Sequence, residues 1–158
     1  MNPADIAASV EVSRDYFNRS TRELKEENSN FAPSSGMFTA AAQVAHVAQT
    51  IDWFLAGAFA EKGFDMDFER MDKQVRACTS LAAARKWFNE ATDRAKVEAQ
   101  KHTAADWAAA LPAGPIMGGL PRFAIVSALT DHTAHHRGAL TVYARMLGKV
   151  PPMPYMDM

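Results

Sequence analysis

The segment Asp131-His132-Thr133-Ala134-His135-His136-Arg137-Gly138 holds three of the five histidines of the chain. His132 and His136 are four apart. In a helix that spacing stacks two imidazoles on one face, one turn apart, within reach of a single metal ion. His46 lies far upstream in another apolar stretch and can bring a third nitrogen. Two histidines from one helix and one from a second leave a coordination position open, and open sites belong to reactive metals rather than structural ones.

The surroundings of these histidines set the expectation. Ile125, Leu129, His132, His136, Leu140 and Tyr143 recur by threes and fours with apolar flanks, so the pair faces a core. Ala42, His46, Gln49 and Trp53 share a stripe of their own. Three buried imidazoles cost several kcal/mol unless each polar nitrogen finds a partner, roughly 2–7 kcal/mol per unpaired group. A divalent ion bound by neutral nitrogens satisfies all three. Zinc takes imidazole readily, and nickel, iron and copper also accept it. Asp131, Gln49 and backbone carbonyls are candidate acceptors for the outer ring nitrogens.

The other candidates carry less. His135 points about 100° away from His136 and reads as a helix flank. His102 ends a helix, where an imidazolium meets the C-terminal dipole. Thr133 stands where the zinc-protease pattern H-E-x-x-H needs its glutamate, and no Glu-x-x-His pair supports a di-iron bundle. Cys78 is the single cysteine, so no internal disulfide forms, as suits a reducing cytoplasm. Ser34-Ser35-Gly36 is a loop signal without a phosphate-binding pattern.

The elements that must hold these residues are helices. The 158 residues fit one domain, taken as 1–158, and 48% are apolar. Helical periodicity covers residues 3–28, 39–62, 79–102 and 121–146, with Thr39 as an N-cap and Gly148 as a stop signal before Pro151-Pro152. No strand alternation is sustained. The pattern predicts an all-α protein, a four-helix bundle. Its linkers 63–79 and 104–121 are long, so at least one crosses the bundle; the first has room for a short helix. The apolar tail 153–158 is expected to dock on the body. The second helix is apolar almost all round, which predicts a homodimer. A net charge of -1 gives no footprint for nucleic acid or anionic lipid. No apolar run nears the ~18 residues of a membrane span, nor does the start resemble a signal peptide. A cytoplasmic protein is expected.

His132-Thr133-Ala134-His135-His136-Arg137-Gly138-Ala139-Leu140, followed by Thr141-Val142-Tyr143-Ala144-Arg145-Met146-Leu147-Gly148, resembles the signature of the DinB family. His46, within Gln43-Val44-Ala45-His46-Val47-Ala48, is similar to that family's upstream histidine. The resemblance implies a bundle of the DinB/YfiT type with crossover connections, often dimeric. It implies a divalent metal, zinc or nickel first and iron next, on His46, His132 and His136. It also implies thiol-dependent transferase or isomerase chemistry on a small molecule, with mycothiol, bacillithiol or glutathione as the thiol, and a place in stress responses. The chain departs from the pattern at Thr133, where many members carry glutamate, and at Ala139, where many carry glutamine. The competing reading is a non-catalytic bundle stabilised by its metal. No catalytic residue is assigned. The pocket is expected between the 31–38 loop and the 104–121 linker, with Phe38, Trp53 and Met117 in its wall.

Overall fold

The computed structural model describes residues 1–156, whose regular structure is all helical apart from one isolated bridge between Ala110 and Pro121. Four long helices, α1 (Pro3–Thr21), α2 (Ala40–Phe59), α4 (Leu81–Lys101) and α6 (Ala124–Met146), are joined through two short ones, α3 (Phe68–Arg76) and α5 (Ala104–Ala108). Polar caps mark their starts. Asn2, with Pro3 at the first helical position, accepts from Ala4 N–H, Thr39 from Ala42 N–H and Ser80 from Ala83 N–H. At the end of α6, Gly148 adopts φ +74° while Lys149 N–H reaches back to the Ala144 carbonyl and Gly148 N–H to that of Arg145. This is the glycine-terminated stop that the sequence indicates.

Two helices end earlier than periodicity suggests. α1 stops at Thr21 rather than Asn28, because the Arg85 guanidinium takes the Thr21 and Leu24 carbonyls. A 3-10 turn, Glu26–Asn28, follows. α2 stops at Phe59, where Ala60 turns extended and Gly63 N–H closes a turn on the Ala60 carbonyl. Phe64 then folds back onto α2. A Cβ on Gly57 would stand 2.2 Å from the Phe64 ring, so only glycine admits that contact.

The long helices close a ring in which α1 packs on α4 and α6, and α2 on α4 and α6. Paired residues give the directions. Arg14 meets Asp93 while Thr21 meets Arg85, so α1 and α4 are antiparallel. Asp52 meets Trp87 and Arg94 while Phe59 meets His102, so α2 and α4 are parallel. Gln43 faces Tyr143 while His46 faces His132, so α2 and α6 are antiparallel. The parallel α2–α4 pair requires its linker to travel back along the bundle, and α3 lies in that crossing, packed on α2. α2 is buried along most of its length between α3, α4 and α6. Its apolar circumference is taken up largely by these three neighbours.

The tail docks as far as it is described. Arg19 donates to the Pro154 carbonyl, and the Tyr16 and Tyr155 rings meet edge to face at 5.2 Å. Residues 157–158 lie outside the described part. No described helix is long and apolar enough to cross a membrane.

Candidate metal centre

The antiparallel seam between α2 and α6 brings together the three histidines singled out by spacing. His132 Nε2 lies 3.2 Å from His46 Nε2 and 3.2 Å from His136 Nε2. One ligand atom from each ring falls within 4.8 Å of the other two. A ring nitrogen has a single in-plane lone pair or proton, so His132 Nε2 makes at most one good hydrogen bond with these two neighbours. The spacing suits a shared cation better. Nitrogens bound at about 2.0–2.1 Å to a tetrahedral ion stand roughly 3.3–3.4 Å apart.

The outer hydrogen bonds fix which nitrogen of His136 is available. The Phe38 carbonyl can only accept, and it takes the Tyr143 hydroxyl proton at 3.0 Å. Tyr143 oxygen then accepts from Gln43 Nε2 at 3.1 Å. That leaves Gln43 Oε1 facing His136 Nδ1 at 2.5 Å, so Nδ1 carries the proton. The Nε2 lone pair is therefore aimed at the other imidazoles, as a ligating histidine requires. His136 is 8% exposed, while His46 and His132 are half-buried.

Burial also keeps the rings neutral. It pushes His136 down to about 3 and His132 to about 4, with the neighbouring imidazoles adding to the effect. His46 is lowered by burial against a weaker opposing pull from Asp72. Neutral imidazole is the form that binds metal.

His46 and His132 form one end of a cavity of about 430 Å³, within the roughly 300–1,000 Å³ usual for small-molecule sites. α2 adds Gln49, Thr50, Trp53 and Phe54 to its wall, α3 adds Phe68, Met71 and Asp72, and the loop before α2 adds Phe38. Phe38 and Trp53 are where the sequence suggests. Met117 is not in the wall; it packs against the core, and α3 takes the place expected of the 104–121 linker. That linker sits at the far end of α2, where Arg122 Nε donates to the Ala58 carbonyl.

The remaining candidates separate cleanly. His135 is exposed and outside the cluster. His102 stacks on Phe59 at 3.7 Å and bonds Glu98 at 3.0 Å. Thr133 turns its hydroxyl to the Leu129 carbonyl and lines a small cleft beside α1. Of the expected outer acceptors, Asp131 is exposed and Gln49 bonds the Met71 carbonyl and Gln74 instead. Gln43 and Tyr143 do that work. Gln43 stands one turn before His46, a signal present in the sequence but identical in kind to that of Gln49 one turn after.

No curated protein matches the chain. A family model described as the DinB superfamily matches residues 9–140, a span that includes all three histidines and Gln43. The chain belongs to the DinB superfamily.

Proposed function

We infer that the protein holds one divalent metal ion on His46, His132 and His136 and acts as a metal-dependent enzyme on a small molecule, with thiol-transferase or isomerase chemistry. The observation that carries this reading is the convergence of three Nε2 atoms, with His46 and His132 bordering an open cavity. A purely structural ion has no need of such an opening. Zinc and nickel suit three neutral imidazoles, and iron is next. Bound there, the ion would lower the pKa of a thiol or water and so supply a nucleophile at neutral pH.

The protein's own groups supply the rest. Gln43 holds the proton on His136 Nδ1, and Tyr143 holds Gln43. Trp53 and Phe54 give the cavity an apolar wall, and Phe68 extends it to the mouth. Cys78 packs against the core, its Sγ contacts the Ser80 carbonyl weakly at 3.7 Å, and it is not in the cavity wall. A reacting thiol therefore comes from solution.

The test begins with elemental analysis of protein purified without chelators, where about one metal per chain is expected. Wild type and His132→Ala are then screened with epoxides, alkyl halides and maleyl compounds, each with glutathione, bacillithiol or mycothiol. Turnover confined to wild type supports the reading. Equal turnover in both proteins removes the metal from the mechanism, and none with any thiol favours the metal-stabilised bundle.

A further inference from the structure

The cavity beside the histidines has a chemical character that narrows its ligand. Several of its polar groups already have partners within the protein. Gln49 Nε2 bonds the Met71 carbonyl and Gln74, and the Trp53 indole N–H bonds the Asp65 carbonyl at 2.7 Å. The Asp72 carboxylate is paired with Arg76 at 2.8 Å. Most of the remaining wall is ring surface. Trp53 and Phe54 meet at 4.9 Å, Trp53 and Phe68 at 6.0 Å, and all three are only partly buried. Phe68 is 51% exposed, which leaves a large apolar face in water at the cavity mouth.

The wall contains no lysine or arginine. The Arg76 guanidinium beside it is already engaged, by Asp72 at 2.8 Å and over the Phe38 ring at 4.5 Å, so away from the histidine end a phosphate or a polycarboxylate would meet no uncommitted cation. A flat apolar group instead covers the exposed faces of Phe68 and Trp53 and stacks on them. Its length is set by α2. His46 and Trp53 are seven residues apart on that helix, an axial rise of about 10.5 Å. One or two fused rings fill that interval.

We propose that the cavity binds the uncharged aromatic or fused-ring body of the substrate, laid along α2 from the imidazoles to Trp53 and Phe68, with its reacting atom at the histidine end. This rests on the metal-dependent reading for the reaction but not for the binding. Phe68 and Trp53 are the residues that select the substrate class. Phe68 is the better probe, because it is half-exposed at the start of α3 and its truncation leaves the bundle core intact.

The experiment measures binding of 2-naphthol and of glucose 6-phosphate by calorimetry, to metal-analysed wild type, Phe68→Ala and Trp53→Leu. Wild type should bind 2-naphthol at least tenfold more tightly than glucose 6-phosphate. Phe68→Ala should weaken 2-naphthol about tenfold with the same metal content and the same melting temperature. Trp53→Leu should weaken it further. Equal binding of the two probes, or a Phe68→Ala protein that binds 2-naphthol like wild type, overturns the proposal. Repeating the titration on chelator-treated protein separates the two readings. Aromatic binding to a protein that never takes up metal sustains the pocket and defeats the metal centre. Metal uptake without aromatic binding does the reverse.

Discussion

Two antiparallel seams of the same bundle are built from opposite materials. Where α1 meets α4, the interior is Phe17 against Phe88 at 4.5 Å, with Thr92 returning its hydroxyl to its own helix. Polar groups there are paired within the protein, as Asn18 with Asn89, Arg14 with Glu11 and Asp93, and the buried Thr21 with Arg85. Where α2 meets α6, the interior is three imidazoles, a glutamine and a tyrosine hydroxyl. The first seam shows what this fold uses when it only has to hold together. The second accepts buried polar groups that weaken packing unless something binds them. The difference supports the proposal that the α2–α6 histidines serve a ligand rather than the fold.

Paired truncations are the strongest way to break that division. His136→Ala should lose metal by more than the 10–100-fold typical of outer hydrogen-bond partners. Phe17→Ala should cost about 3–5 kcal/mol of folding stability, the range for a buried phenylalanine, yet keep one metal per folded chain. Metal titration and urea denaturation of both variants check this. A Phe17→Ala protein that is folded but metal-free would show that the two seams are not separable.

Removing the second layer should act next in size. Gln43→Leu leaves His136 Nδ1 without its acceptor, and metal affinity should fall about 10–100-fold, measured by competition with a chromophoric chelator. Tyr143→Phe should have a smaller effect, since Gln43 keeps its bond to His136 and loses only the acceptor for its amide N–H.

Acid should discriminate between the seams more gently. In metal-free protein all three imidazoles are held below the unfolded value of about 6.5, with His132 at about 4 and His136 at about 3. Below pH 6.5 the unfolded chain binds protons that the folded one refuses. Stability is therefore full above that pH and falls as acid is added toward pH 3–4. Urea midpoints at pH 7 and pH 4.5 should differ more in wild type than in His132→Ala. The smallest effect belongs to His135→Ala, which should keep the metal and stay within about 0.5 kcal/mol of wild type in stability.

The histidine cluster was legible in the sequence because two periodicities coincide there. His132 and His136 fall four apart within an apolar stripe, and His46 falls on the stripe of a second helix. The four long helices were legible for the same reason. The choice between Gln43 and Gln49 was not. Each is three residues from His46, and only the antiparallel direction of α6 sets Gln43 opposite His136 and Tyr143 while α3 takes Gln49. The pocket wall was misplaced for a related reason. Which linker borders the histidines depends on α2 and α4 running parallel, and periodicity carries no direction. The end of α1 at Thr21 likewise depends on Arg85, a residue sixty-four positions away.

The order of helices around the ring has a consequence for biosynthesis. His46 emerges early, but its two partners lie 86 and 90 residues later, on the last of the described helices. No antiparallel pair of neighbouring long helices is available to fold first as a hairpin, because α1 seeks α4 and α2 seeks α6. A nascent chain that has not yet released α6 holds at most one of the three nitrogens. On the proposed reading, loading with metal would thus be a late event, after α6 has emerged, and a product terminated before α6 would lack two of the three ligands.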